Sequence, residues 1–195
     1  MKKRTLIPAF LIMLFFQVSV AAQKYPEVMI RTEYGDIVVE LYADKAPVTV
    51  ANFLRYVDSM LFMNSSFYRI VRMENQLRDS IKIEVIQGGR RDAEDSGFAP
   101  IRHETTSETG ILHLNGVISM ARSVPGSATS EFFICIGDQP ELDFGGLRNK
   151  DGQGFAAFGR VIKGMDIVKK IHLNKAPGQY LEKPVKIFNI VYYKE

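Results

Sequence analysis

Short apolar runs closed by glycine, proline or polar residues fill this 195-residue chain, and they restrict its fold more than any other feature. Val28–Ile30, Ile37–Tyr42, Ser65–Ile70, Ile83–Ile86, Val117–Ala121, Phe132–Ile136, Phe155–Ile162 and Val185–Tyr193 each suit one strand. Two segments instead repeat their apolar residues at three- and four-residue steps. They predict helices over about 47–60, with Pro47 in the first turn, and over about 165–172. Strands and helices do not alternate regularly, which argues against a doubly wound sheet. Many short strands leave many edges, and closing the sheet removes them, so a mainly β chain in a closed antiparallel barrel is expected. Tyr34-Gly35-Asp36 predicts a hairpin turn. The charged residues 72–82 read as a surface excursion, and Arg90–Thr109 and Asp143–Gly154 as loops. Alternation through Ser65–Ile70 places Phe67 and Arg69 on one face and Tyr68 on the other.

Residues 1–22 stand apart. Lys2, Lys3 and Arg4 precede an apolar stretch from Leu6 to Phe16, and Ala21-Ala22 supplies small residues before Gln23. That is the layout of a secretory signal peptide cleaved after Ala22. The apolar core is short for a spanning helix, which needs ~20 residues, so no stable membrane insertion is expected after cleavage. The expected location is a bacterial periplasm, or outside the cell. The leader holds three of the 25 basic residues and no acidic one, leaving 22 of each sign in residues 23–195. Such a balance gives no support for nucleic-acid binding. Residues 23–195 suit one domain, expected to be monomeric. Cys135, the sole cysteine, lies inside an apolar run and reads as a small buried hydrophobe.

The stretch Gly116–Ile136 sets a loop rich in Ser, Pro, Gly and Thr between two strand-like runs, a common setting for a binding site. Around it lie Phe67-Tyr-Arg69-Ile, Gln87-Gly88-Gly89, Ser119-Met-Ala121, Ser130-Glu-Phe132-Phe133-Ile, Phe158-Gly159-Arg-Val161 and Gly164-Met-Asp166. These motifs stand in the order found in cyclophilins. From about Val28 to Val191 the chain resembles that family of peptidyl-prolyl cis–trans isomerases. The resemblance implies an eight-stranded antiparallel barrel capped by two α-helices, with a substrate groove on its outer surface. It also implies proline-containing segments of unfolded or partly folded proteins as partners.

Rotation about an X–Pro bond has a barrier of ~18–20 kcal/mol because amide resonance is lost. In the twisted state the proline nitrogen regains a lone pair. A donor aimed at that nitrogen acts only there, and so lowers the barrier instead of merely tightening binding. Arginine, always charged and rich in donors, suits this role. No cofactor, metal or nucleophile is required. By resemblance, Arg69 matches the catalytic arginine and Gln87 the glutamine that holds the substrate backbone beside it. Phe133 and Leu142 match walls of the proline pocket. Ala121, with Met120 beside it, lies where the family binds the residues before the proline. Val85 stands in place of the usual methionine, Phe155 of a histidine, Arg122 of an asparagine and Glu131 of a glutamine, and all four join the substrate-binding set. Glu84 replaces an aromatic residue, Tyr68 a histidine and Glu141 a tryptophan, and the link from Arg69 to Gln87 is longer than usual. These departures leave a second reading, a cyclophilin-fold module that binds proline peptides or acts as a chaperone with weak or no catalysis. His103, His113 and His172 share no metal-ligand spacing. A hydrolase using Ser or Cys lacks a coherent triad in the sequence.

Overall fold

The computed structural model describes residues 25–91 and 97–194, so the expected signal peptide lies outside the described residues. Eight strands, β1 (Glu27–Thr32), β2 (Gly35–Leu41), β3 (Ser66–Val71), β4 (Val85–Gly89), β5 (Val117–Met120), β6 (Phe132–Cys135), β7 (Ala156–Lys163) and β8 (Tyr180–Tyr192), close into one barrel. Their order around it is β1-β2-β7-β5-β6-β4-β3-β8, and every pairing is antiparallel. Three helices accompany it: α1 (Pro47–Asp58), a single turn α2 (Thr106–Thr109) and α3 (Met165–His172). The Gly35 end of β2 abuts Ile167 of α3, while its Leu41 end leads into α1, so the two longer helices cover opposite ends of the barrel.

Local chemistry explains most boundaries. In the first hairpin Thr32 pairs with Gly35, so the turn is Glu33-Tyr34 and Gly35 already belongs to β2, one residue from the expected turn. Pro47 opens α1, but the helix has no local side-chain cap. Glu104, 2% exposed, supplies one from a distant loop. Its carboxylate accepts from the backbone N–H groups of Val48 (3.1 Å) and Thr49 (2.8 Å) and from the Thr49 hydroxyl (2.7 Å). A buried charge is tolerated there because it meets the positive end of the helix dipole. β8 starts five residues before the expected Val185, since its first half pairs with β3.

Strand alternation sorts side chains into two apolar groups. Facing inward, Phe67, Ile86, Ile118, Phe132, Ile134 and Phe158 meet Phe53 and Phe62 in the main core. Facing outward, Val71, Val85, Phe133 and Cys135 gather with Ile83 and Leu142 in a smaller cluster, with Ala121 and Phe155 packed on it. Burial in this outer cluster pushes the Cys135 thiol well above its usual range, which suits an inert packing residue.

One expectation needs correction. Phe67 and Arg69 do not share a face. The β3–β4 register slips between Phe67 and Arg69, so Tyr68 is an extra residue; Phe67 turns into the core while Arg69 faces outward. A bulge of this kind breaks a period of two and re-aims the next side chain. Residues 72–82 run over the surface as expected, and a few contacts anchor them. Met73–Asn75 form a 3-10 turn, Gln76 is 1% exposed, and the Arg72 guanidinium donates to the carbonyls of His172 (2.8 Å) and Asn174 (3.1 Å).

Candidate active site

Strands β5, β6, β4 and β3 are consecutive in the barrel, and their outward faces carry a cavity of about 230 Å³. That is smaller than a typical small-molecule site of about 300–1,000 Å³ and suits a single side chain. Ile83, Val85, Phe133 and Leu142 form its apolar base. Ala121, Arg122 and Phe155 stand on one side, and Arg69, Gln87, Arg148 and Asn149 also line it. Ile83 and Val85 both reach the cavity, two residues apart; Glu84 between them is absent from its lining. Glu141 does not line it either. Its carboxylate accepts from the Leu147 N–H at 2.8 Å and folds the loop that follows. Glu84 and Glu141 are thus outside the groove lining. Met120 is a correction: it is 1% exposed and belongs to the barrel core, because alternation along β5 turns it inward and leaves the next residue, Ala121, at the groove.

The Arg69 guanidinium is held by two amides. Nη1 donates to Gln87 Oε1 at 2.8 Å, while Nε and Nη2 donate to Gln179 Oε1 at 3.1 and 2.5 Å. An arginine has five N–H donors, so one on each terminal nitrogen remains for a ligand. Burial lowers the Arg69 pKa, the phenol of Tyr180 works against that, and the Arg148 charge lowers it further. The group nevertheless stays a cation at neutral pH. Gln179 escaped the sequence reading. It lies 110 residues from Arg69 and adopts a left-handed backbone (φ 77°), with no local motif to mark it.

The network continues past Gln87. Its Nε2 donates to Tyr68 Oη at 2.7 Å, and the Tyr68 hydroxyl donates to Glu131 Oε2 at 2.5 Å. Burial and the Glu131 carboxylate push the Tyr68 hydroxyl well above its usual range, so it stays protonated and donates. Glu131, expected to bind substrate, is not part of the cavity lining; it anchors this chain of hydrogen bonds and fixes Gln87. The two glycines after Gln87 have a steric reason. A side chain at Gly88 would strike Phe67, and one at Gly89, where φ is 143°, would strike the Glu131 carboxylate.

Arg122 lines the cavity without being a free cation. Its Nη1 and Nη2 donate to Asp151 at 2.8 and 2.9 Å, Nε and Nη2 donate to the Gly154 carbonyl, and its guanidinium lies 5.2 Å from the Phe155 ring centroid. Hydrogen bonds from Arg122, then from the Gln153 N–H, hold the Asp151 carboxyl down to about 2. A folded value below the unfolded one means that this pairing contributes above the ordinary carboxylate range and is lost as pH falls through about 2. The Asp151 carboxyl resonance should therefore titrate near pH 2 in the intact protein and rise toward ~4 in Arg122→Ala, the Gln153 N–H still holding it somewhat below. Titration near ~4 in both would show that the pair does not form.

Behind Phe133 the fold assembles a Ser-His-Asp chain that is scattered in the sequence. His113 Nδ1 lies 2.7 Å from Asp143 Oδ1 and its Nε2 lies 2.9 Å from Ser119 Oγ. Geometry alone would suggest a hydrolase triad. Ser119, however, is 0% exposed within β5, and the His113 ring stacks on Phe133 (centroids 5.9 Å, 15° between planes). No substrate carbonyl can reach the hydroxyl, so the chain supports the Phe133 ring from behind.

The family model for cyclophilin-type peptidyl-prolyl cis-trans isomerases (cyclophilin type peptidyl-prolyl cis-trans isomerase/CLD) matches residues 27–193. The chain belongs to this family. Among its relatives, a peptidyl-prolyl cis-trans isomerase of Acinetobacter baylyi is 37% identical over 74% of this chain and 70% of its own length. Peptidyl-prolyl cis-trans isomerase B of Escherichia coli is 35% identical over 74% of this chain and 82% of its own length. The crystal structure of a cyclophilin-type isomerase from Cryptosporidium parvum superposes with a TM-score of 0.71, covering 88% of this chain and 99% of that one at 22% identity, a likeness of fold. In this member Arg148 ties the β6–β7 loop to the β3–β4 link. The Arg148 guanidinium donates to the Ile81 carbonyl and lies 3.2 Å from Asp79.

Proposed function

We propose that this cyclophilin accelerates cis–trans rotation of X–Pro bonds in exported proteins as they fold. The observation that carries the reading is the Arg69 fork, tethered by Gln87 and Gln179 with donors to spare beside an apolar cavity of single-side-chain size. The proline ring occupies the base formed by Phe133, Leu142, Val85 and Ile83. Arg69 then offers a donor to the nitrogen lone pair as the amide twists. Because the tethers fix the fork before substrate arrives, little reorganisation is needed at the transition state. Export is supported by Lys2, Lys3 and Arg4 ahead of the apolar stretch Leu6–Phe16. Uncatalysed isomerisation takes tens of seconds or more, long enough to limit folding after export.

Exchange NMR on a capped proline peptide tests the activity. The protein is expected to broaden and merge the cis and trans resonances at catalytic concentration, and unchanged exchange would refute the enzyme reading. Mass spectrometry of the protein recovered from cells tests export, with a chain beginning at Gln23 expected in the periplasmic fraction. An intact leader on cytoplasmic protein would refute export and leave the enzyme reading untouched.

A further inference from the structure

The sheet order gives the cavity a direction. Ala121 extends β5 on one side, and Arg69 lies on β3 on the other, with β6 and β4 between them. On the isomerase reading, the residues before the proline lie at the Ala121 side. The chain beyond the proline must then leave over the β3–β4 side. Arg148 is fastened on that side, to Asp79 and the Ile81 carbonyl, which lead into Ile83 and β4.

The charged side chains that line the cavity are all of one sign. Arg69, Arg122 and Arg148 line it, and no carboxylate does. Asp79 and Asp151, which pair with Arg148 and Arg122, do not belong to the lining. The partners of Arg69 are neutral amides, and the Arg148 charge is close enough to lower the Arg69 pKa. A second observation is independent of charge. Asn149, next to Arg148 in the lining, has a buried Nδ2 with no acceptor among the described residues. An unpaired buried donor is relieved by a ligand acceptor.

We propose that Arg148 and Asn149, with Arg69, form a subsite selecting an acidic residue immediately after the proline. Arg148 attracts the side-chain carboxylate, and Asn149 donates to that residue's carboxylate or backbone carbonyl. The proposal rests on the isomerase reading. It also gives the long β3–β4 link a purpose, since residues 79–81 of that link hold Arg148 in place.

The test uses three capped peptides, acetyl-Ala-Ala-Pro-Xaa-amide with Xaa Glu, Ala or Lys, and the purified protein. The order of kcat/KM is expected to be Glu, Ala, Lys, with a Glu-to-Lys ratio of about tenfold at low salt that shrinks strongly near ~1 M salt. Arg148→Met should bring the ratio toward one, and Arg148→Glu should invert it; the salt series on the unaltered protein needs no variant to fold. Equal rates for all three peptides, or a ratio that survives both substitutions, overturn the subsite while leaving the isomerase standing. If no peptide is isomerised, the isomerase reading fails instead. Titration of the same peptides by chemical-shift changes then still ranks their affinities, and a Glu peptide that binds no better than Lys overturns the subsite.

Discussion

Arg69→Ala is expected to lower kcat/KM by about 10²–10³-fold, the usual cost of removing one preorganised donor from a transition state. The loss should fall on kcat as much as on kcat/KM, because the proline nitrogen offers a lone pair only while the amide is twisted. Folding should be little affected. Arg69 is outside both apolar clusters, and its tethers, Gln87 and Gln179, keep access to water once it is gone. Arg69→Lys is the sharper comparison. Lysine keeps the charge but cannot present a planar fork to Gln87 and Gln179 together, so its activity should stay well below that of the unaltered protein. Full activity in Arg69→Lys would mean that charge alone suffices and that the two amide tethers are incidental. Full activity in Arg69→Ala would remove Arg69 from the mechanism.

Two neighbours on β6 should separate stability from activity. Phe132 is 0% exposed, and its ring lies 5.6, 5.9 and 5.8 Å from those of Phe53, Phe62 and Phe67 in the barrel interior. Phe132→Ala is expected to cost about 3–5 kcal/mol by leaving a cavity there. That is a large part of a total stability of about 5–15 kcal/mol. The denaturation midpoint in urea should fall sharply with the slope unchanged. Phe133, one residue on, points the other way, stacks on His113 and meets Phe155 edge-on at 5.2 Å in the cavity. Phe133→Ala removes an apolar wall worth about 1.5–3 kcal/mol to a bound ring, so kcat/KM should fall about tenfold to more than a hundredfold. Its stability loss should be smaller than that of Phe132→Ala. Equal stability losses in the two variants, with full activity in Phe133→Ala, would sink the division of β6 into a core face and a groove face.

The barrel and its two longer helices were legible because their signals are local: short apolar runs, turn residues, and Val168 and Ile171 at helical spacing on the buried face of α3. Most of the groove was legible through ordered motifs that place Arg69, Gln87, Ala121 and Phe133 on neighbouring strands. What stayed hidden depends on register or on distance. A period-two pattern cannot announce the extra residue at Tyr68, although that residue decides which way Arg69 points. Met120 and Ala121 are both apolar, and only strand phase separates the core residue from the groove residue. Gln179, Glu104 and the Asp143–His113–Ser119 chain act on residues far away in sequence, through contacts that exist only once the barrel has closed.

β8 completes the barrel by joining β1 on one side and β3 on the other, so Val28 finds its partner Tyr192 nearly the whole described chain away. Closure is therefore among the highest-separation events this polypeptide can undergo, and loop-closure entropy must be overcome before those contacts reward it. Any chain ending before Tyr180 would expose two unpaired strand edges at once, an invitation to intermolecular sheet growth. A chain made from its N-terminus cannot finish folding until its final strand has emerged. This isomerase is thus, by topology, a late-committing folder itself.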